Sequence, residues 1–373
     1  MSSSDFVVIG AGIAGASIAY ELAAHASVVV LEAERAPGQH ATGRSAALFS
    51  ETYGNTTIRA LSRASRAFLE KPPVGFSEAP LLQQRGVLYI ADAAQSALLN
   101  DQLAAETAGR LTRVDPEEAF ARVPILRRDR WSHFVLERDA RDIDVDAVFQ
   151  GFLRGAKARG AAIVTQSAAQ VIERRGPVWH VVAVTGEYTA PVLINAAGAW
   201  ADEIAVLAGG ARIGLVPKRR TALLIDPPTG LAVDGWPVVV EAAESFYFKP
   251  DAGRLLVSPA DETPMAPCDV QPDDLDVAIA VDRFEQATTL NVQRVRHSWA
   301  GLRSFVGDRA PIAGFDPGLP SFFWLAAQGG YGIQTAPALA RLGAAMARGA
   351  EVPEDIAAQG LNARPLSPRR LRA

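Results

Sequence analysis

The sequence predicts an α/β fold, a parallel-sheet domain assembled from separate stretches of chain with an antiparallel-sheet domain inserted between them. Three observations predict it. A strand, a glycine-rich turn, a helix and a second strand follow one another between Phe6 and Glu32. Two later apolar strands, ending at Ile194 and Ala327, each run into a small-residue turn and then a helix. Between Gly214 and Thr289 the chain changes to short strands punctuated by Pro and Gly. With 373 residues the chain also exceeds what one compact core usually serves.

The first unit is the most informative. Phe6-Val-Val-Ile9 is an apolar run ending in glycine, as a strand buried in a parallel sheet requires. Gly10-Ala-Gly12-Ile13-Ala14-Gly15 follows, then helical sequence to Ala24, then a second buried strand, Ser27 to Leu31, closed by Glu32 and Ala33. In that order each glycine has a task. Gly10 allows the tight turn, Gly12 lets the backbone approach a pyrophosphate, and Gly15 lets helix and strand pack closely. The helix start at Ile13 and Ala14 offers free N–H groups and a positive dipole end to phosphates. Glu32 stands where a carboxylate accepts hydrogen bonds from a ribose diol. This is a Rossmann-type dinucleotide-binding unit. After Arg35-Ala-Pro-Gly38 comes Ala41-Thr42-Gly43-Arg44-Ser45-Ala46-Ala47, small residues that let backbone pass close to a large flat ligand. That feature favours FAD over a nicotinamide dinucleotide.

The remaining elements follow from periodicity and punctuation. Ile58 to Leu69 is helical until Lys71-Pro-Pro73 stops it, and Gly86 to Ala91 alternates as a strand. Gln95 to Ala108 reads as a helix, Asp115-Pro-Glu-Glu118 begins another, and Val145 to Arg159 is amphipathic and precedes the strand Ala162–Thr165. Val178–Val184 and Tyr188–Ile194 read as a hairpin, which leads through Asn195-Ala-Ala197-Gly198-Ala-Trp200 to a helix from Asp202. Thr221–Ile225, Pro237–Val240, Phe246–Lys249 and Arg254–Ser258 form the antiparallel sheet, and Asp282–Leu290 is helical. Phe322–Ala327 is a buried strand, and Gln328-Gly329-Gly330-Tyr331-Gly332-Ile333-Gln334 opens a long Ala-rich helix. Asn362–Ala373 reads as a basic surface tail.

Composition narrows the classes. The net charge of -4 gives no electrostatic reason to expect nucleic acid, and no uninterrupted apolar stretch has the length of a membrane span. A single cysteine, Cys268, excludes an intramolecular disulfide, and it sits in a polar stretch, Asp261–Asp274, as a loop cysteine. A cytoplasmic location is expected, with peripheral membrane contact left open. The five histidines form neither a metal spacing nor a nucleophile–base pattern, and no metal is expected.

Three arginines stand out. Arg219 and Arg220 begin a strand, and Arg303 lies in the apolar Trp299–Phe305. A guanidinium rarely stays buried without an anion, and its planar fork matches a carboxylate. An arginine pair in a pocket would point to an anionic substrate, whereas a structural salt bridge is an equal alternative for Arg303 and the plainer reading for Arg219. Gly329 and Gly330 would aim a helix N-terminus at the flavin edge that gathers negative charge on reduction. Tyr53, Tyr247 and Tyr331 are candidate pocket hydroxyls.

The Gly10–Glu32 unit, His40-Ala-Thr-Gly-Arg-Ser-Ala-Ala47, Asn195–Trp200, Trp299–Phe305 and Ala326–Thr335 resemble the D-amino-acid oxidase-type flavoproteins. Pro217-Lys-Arg-Arg220, Glu244–Gly253 and Leu366–Leu371 resemble their bacterial D-arginine dehydrogenase branch. The likeness implies a glutathione-reductase-like FAD fold of the D-amino-acid oxidase type, with FAD held non-covalently. It places residues 1–75, 148–212 and 300–373 in the FAD-binding domain and 76–147 and 213–299 in the substrate domain. By position it makes Arg220 and Arg303 a carboxylate clamp, Tyr53 and Tyr247 hydroxyl contacts, and the Gly330 carbonyl the acceptor of the amino group. Leu48, Ser50, Val87 and Gln334 would line the substrate pocket. Ser45, Ala46, Ala47, Arg303 and Gly329 to Ile333, Tyr331 and Gly332 included, would hold the isoalloxazine, with Ala197, Gly198 and Trp200 also on the cofactor.

Two positions depart from the arginine enzyme: Val87 replaces a carboxylate that binds guanidinium, and Leu48 replaces a histidine. An apolar Val87 cannot pair with a cation, and an unpaired cation in a pocket costs several kcal/mol. The implied activity is oxidative deamination of neutral or apolar D-amino acids to a 2-oxo acid and ammonia, by hydride transfer to flavin N5, with oxygen, a quinone or an electron carrier as acceptor. The alternatives keep the flavin and change the donor to an N-substituted amino acid or a 2-hydroxy acid. A non-catalytic flavin-binding module is a further alternative, one that has no need of a carboxylate clamp.

Overall fold

In the computed structural model, which describes every residue but Met1, Thr107 and Ala373, the strand Phe6–Ile9 sits in the middle of a six-stranded sheet. Those three residues belong to the N-terminal stretch, the helix expected over Gln95–Ala108 and the basic tail, and lie outside the described residues. All four residues of Phe6–Ile9 are buried, because helices cover one face of the sheet and a small second sheet the other. The strand order is Ala162–Val164, Val28–Leu31, Phe6–Ile9, Val192–Asn195, Phe322–Ala326, Ile312–Phe315. All neighbours are parallel except the last pair. The helices Ile13–Leu22, Thr56–Glu70, Val145–Ala158 and Gly332–Ala347 pack together on one face. Asn55 and Asp144 cap two of them by accepting from the backbone N–H of Ile58 and Ala147. On the other face lie the helix Ala201–Leu207 and a four-stranded sheet that includes Ala169–Arg175, Val178–Ala183 and Gly186–Ala190.

The strand-rich region folds into a nine-stranded sheet, but it is mixed rather than wholly antiparallel, since Val238–Glu241 runs parallel to Val87–Ala91. Its longest pair is Val216–Ile225 with Val295–Phe305, in which Lys218 faces Arg303 and Arg220 faces Gly301. One face packs on Pro116–Arg122 and Asp274–Ala287 around Phe248, Leu255 and Phe284. The other carries Val87, Tyr89, Val238 and Val240, with Tyr247 directly opposite Val240.

Several sequence-based expectations need correction. Tyr188–Ile194 is not one hairpin strand: Pro191 cannot donate to a ladder, and the chain leaves the small sheet at Ala190 and enters the large one at Val192. The helix expected at Asp282–Leu290 begins at Asp274, where Asp273 caps it by accepting from Leu275 N–H. The helix expected over Gln95–Ala108 spans Ser96–Ala105. The strands Leu111–Arg113, His133–Glu137 and Ala169–Arg175, and the full length of Val295–Phe305, were not apparent from the sequence. The C-terminal tail is tied down rather than free. Leu366 and Pro368 are buried, Arg370 Nε donates to Asp308 at 2.6 Å, and Arg372 pairs with the buried Asp316 at 2.8 Å.

Candidate active site

The carboxyl ends of the parallel strands open into a cavity of about 620 Å³ that reaches across to the nine-stranded sheet. Its parallel-sheet end is built by the glycine turn. Gly10 holds φ +97° and has no room for a side chain, because a Cβ would stand 2.6 Å from the Ala196 carbonyl oxygen. Gly15 is tighter still, with a Cβ position 1.8 Å from the Gly10 carbonyl oxygen, so helix and turn touch backbone to backbone. Gly12 caps the helix Ile13–Leu22 without a side chain and lines the cavity with Ile13 and Ala14. Glu32, buried at the end of its strand, accepts from Ala11 N–H at 2.7 Å and Glu34 N–H at 2.9 Å, one bond on each carboxylate oxygen. Each oxygen keeps a further lone pair for a ligand hydroxyl.

Ala33, Thr42, Arg44, Ser45, Ala46, Ala197, Gly198, Trp200, Arg303, Gly329, Gly330, Gly332 and Ile333 line the same cavity. Gly15, Gly43, Ala47 and Tyr331, expected at the cofactor, do not. Gly15 and Gly43 are packing glycines, the latter closing a turn by donating its N–H to Gly38 O at 2.8 Å. The Ala47 carbonyl pairs instead with Ile143 N–H, and Tyr331 packs its ring on Tyr53, Ile58 and Phe305. The Arg44 side chain is spent on protein, donating to Val270 O at 2.8 Å and Ala300 O at 3.1 Å and pairing with Asp269. Two cavity residues to which the sequence assigned no role carry buried polar atoms without a hydrogen-bond partner in the protein, His40 Nδ1 and Gln328 Nε2. The His40 ring lies 4.6 Å from that of Trp200, and its Nε2 pairs with Glu34 at 2.8 Å. Cys268, expected as a plain loop residue, also lines the cavity. A polar cradle with a helix N-terminus, a free diol acceptor and unspent donors fits FAD.

At the far end of the cavity the strand pair brings Lys218, Arg220 and Arg303 to one face. Arg220 donates from Nε to Asp261 O at 2.9 Å and from Nη2 to Glu262 at 3.4 Å. Arg303 has no carboxylate partner among the described residues, and the oxygens around it are the phenols of Tyr247, Tyr53 and Tyr331. Gly330 packs flat on its guanidinium, where a Cβ would fall 2.8 Å from Nη1. Burial raises the Tyr53 phenol above its ordinary value, whereas for Tyr247 the nearby Arg303 and Arg220 outweigh burial and lower it. Arg219, by contrast, is a structural residue, paired with Asp276 at 2.7 Å and Asp273 at 3.3 Å.

Leu48, Ser50, Val87 and Gln334 do not reach the cavity wall. Val87 packs with Tyr89, Leu111, Val135 and Val238, and Leu48 lies against that cluster. The Gln334 amide is consumed inside the protein: its oxygen accepts from Ser50 N–H at 3.1 Å and its nitrogen donates to Ser62 Oγ at 3.0 Å. Opposite Val87 in register stands Glu137, a buried acid that the sequence did not single out. Ser50 Oγ donates to it at 2.9 Å and Thr52 Oγ1 at 2.7 Å, and burial raises its carboxyl above the ordinary value. Val87→Glu therefore places a second acid across from a buried one, and should lower the stability of the protein by several kcal/mol. A thermal melt at two pH values checks this, with the destabilisation smaller at pH 5 than at pH 8, because protonation relieves like charges.

The family model described as DAO, FAD dependent oxidoreductase, matches residues 5–346. The chain is 26% identical over 330 residues to the uncharacterized oxidoreductase YurR of Bacillus subtilis (strain 168), covering 84% of each. Among solved structures it is similar to L-proline dehydrogenase from P. horikoshii, at TM-score 0.84 and 21% identity over 100% of this chain and 98% of that one. It is similar also to glycine oxidase from Geobacillus kaustophilus, at TM-score 0.84 and 19% identity over 98% of each. At these identities the solved structures establish the fold.

Proposed function

The chain belongs to the DAO family of FAD dependent oxidoreductases, and within it we propose an enzyme that oxidises the Cα–N bond of a small amino acid whose carboxylate is held by Arg220 and Arg303. The observation that carries this is the charge on one face of the strand pair. Lys218, Arg220 and Arg303 stand together there, and Glu262 is the carboxylate paired with Lys218 and Arg220. Glu262 supplies an anion to Lys218 and Arg220, but the neighbouring Arg303 has no carboxylate partner among the described residues, and like charges side by side are unfavourable without an anion between them. A substrate carboxylate on the two guanidinium groups supplies it.

The chemistry FAD supplies when bound is acceptance of a hydride. Gly12, Ile13 and Ala14 would hold its pyrophosphate, Glu32 its ribose, and Ser45, Ala46 and the Gln328–Gly330 turn its ring system. Arg220 and Arg303 fix the carboxylate and thereby the position of Cα, and the Gly330 carbonyl accepts a hydrogen bond from the amine. The amine must arrive neutral, since its lone pair becomes the imine. Water then adds to the imine, giving a 2-oxo acid and ammonia. The acids lining the cavity, Glu32, Glu34 and Glu203, belong to its parallel-sheet half, while Glu137 lies behind Ser50 and Thr52. Among the described residues no acid of the cavity wall stands at the clamp end, which supports neutral or apolar side chains over arginine and lysine; Glu244, near Tyr53 and Tyr331, is the acid that limits this reading. The D configuration rests on the likeness of Pro217–Arg220 and Glu244–Gly253 to D-arginine dehydrogenase.

A second reading, oxidation of a secondary amine, is favoured by the similarity to L-proline dehydrogenase. Product analysis separates the two. Ammonia and a 2-oxo acid in equal amounts from a neutral D-amino acid support deamination, and a product that retains nitrogen, or formaldehyde, contradicts it.

The lowered Tyr247 phenol adds a pH prediction. A phenolate beside Arg303 and Arg220 neutralises part of the clamp, so carboxylate affinity should fall with rising pH, starting below the ordinary tyrosine value of 10.0. Tyr247→Phe should remove this alkaline limb, measured as the pH dependence of KM. A limb unchanged in that variant assigns it to another group.

A further inference from the structure

We propose that Glu262 is a positioning residue of the carboxylate clamp, one that sets the pose of the Arg220 guanidinium from outside the cavity. The proposal rests on the reading of Arg220 as a substrate-binding residue. It comes from the number and arrangement of bonds at one carboxylate. Glu262 Oε1 accepts from Arg309 Nη2 at 2.7 Å and from Arg220 Nη2 at 3.4 Å. Its Oε2 accepts from Arg309 Nη1 at 2.9 Å and from Lys218 Nζ at 2.8 Å. Two donors on each oxygen leave the group little freedom to turn.

The donors come from two separate parts of the fold. Lys218 and Arg220 are two residues apart on Val216–Ile225, so their side chains leave the strand on the same face. Arg309 comes from the loop after Val295–Phe305 and holds φ +56°, which a non-glycine residue keeps only where its surroundings impose it. Its guanidinium lies 4.0 Å over the Phe305 ring. The same ring fills the space where a Gly329 side chain would stand, with a Cβ position 2.3 Å from Phe305 Cε1. Glu262 thus ties Arg220 to the loop beneath Gly329 and Gly330, the turn that meets Arg303.

The division of labour on Arg220 is then plain. Asp261 O and Glu262 hold the Nε and Nη2 groups, and the remaining donors face the cavity that Arg220 lines together with Tyr247. Arg303, without a carboxylate of its own, is placed instead by phenol oxygens and by the flat face of Gly330. Arg309 first and then Lys218 hold its carboxyl at about 2, against an ordinary 4.5, so it stays charged at every pH where the enzyme would work. The clamp is therefore braced by a permanent anion.

The test is a double-mutant cycle on the FAD-loaded enzyme, with benzoate as probe and its dissociation constant read from the change in flavin absorbance. Glu262→Gln should weaken benzoate about tenfold, the scale of one lost charge-assisted bond, with Glu262→Asp intermediate. In an Arg220→Met background, where there is no guanidinium to place, Glu262→Gln should have no further effect. Arg309→Met, which removes the brace but leaves Glu262, should weaken benzoate in the same direction and serves if the glutamine variant does not fold. If Arg220→Met weakens benzoate and neither Glu262→Gln nor Arg309→Met does, the clamp stands and the positioning role of Glu262 is overturned. An equal loss from Glu262→Gln with and without Arg220 also overturns it. If Arg220→Met itself leaves benzoate binding unchanged, the clamp reading fails, and the positioning proposal with it.

Discussion

Arg303→Met is expected to lower kcat/KM for a carboxylate substrate by about a thousandfold while the flavin stays bound. A hydrogen bond to a charged group is worth about 1.5–3 kcal/mol, and a bidentate guanidinium makes two. Even the lower figure for both together corresponds to more than a hundredfold in rate. The flavin should remain because the phosphate and ribose contacts lie at the other end of the cavity, around Gly12 and Glu32. Stability should change little or rise, since the native guanidinium has no carboxylate partner and no protein ion pair is broken. Steady-state kinetics together with the flavin-to-protein absorbance ratio measure both halves. Arg303→Lys should recover only part of the activity, because an ammonium keeps the charge but loses the fork. A clamp that tolerates methionine at this position would belong to a different substrate class.

Gly15→Ala is expected to leave no flavin-loaded protein. The new methyl would stand 1.8 Å from the Gly10 carbonyl oxygen, and a main-chain atom cannot rotate away as a side chain does. Helix and turn would have to separate by more than an ångström, which costs several kcal/mol and dismantles the phosphate cradle with it. Gly12→Ala gives the control. There the methyl meets only Thr42 Oγ1 at 3.3 Å, so the fold should survive, but the methyl would occupy the path of the pyrophosphate. Gly12→Ala should therefore melt near the parent temperature and purify colourless. Gly15→Ala should be insoluble or melt far lower. Equal melting temperatures for the two would contradict the packing role of Gly15.

The parallel-sheet half was legible because its signals are local. Phe6–Glu32 encodes strand, turn, helix and strand in one window, and Asn195–Trp200 and Gln328–Ile333 repeat the strand-into-small-turn pattern. The strand break after Ala190 is also written in the chain, at Pro191, but the apolar runs on either side of it mask the break. The nine-stranded sheet was harder to read. Its pairings join distant segments, such as Val87–Ala91 with His133–Glu137 and Val238–Glu241, and no local pattern dictates a partner or a direction.

The same limit governs the site. Arg220 and Arg303 stood out because arginine in an apolar setting is informative by itself. Val87 was read as the residue that decides side-chain preference without Glu137, which faces it only through strand register. Ser50 and Gln334 were placed in the pocket by resemblance, yet their hydrogen bonds join them to each other and to Ser62 and Glu137. Glu262 lay in a polar stretch with nothing to mark it, and its importance arises where it meets Lys218, Arg220 and Arg309. His40 and Gln328 lie in stretches that carry the resemblance, but only a buried atom without a hydrogen-bond partner singles them out within those stretches.

The most direct test of the account is the anaerobic rate at which a neutral D-amino acid bleaches the bound flavin, measured beside that of its carboxamide. The two share the amine, the Cα–H and the side chain, and differ only in the charge that Arg220 and Arg303 would hold. The acid is expected to bleach the flavin, and the amide to do so at least about a hundredfold more slowly. Equal rates for the two would contradict the carboxylate clamp and remove the basis for an amino-acid substrate.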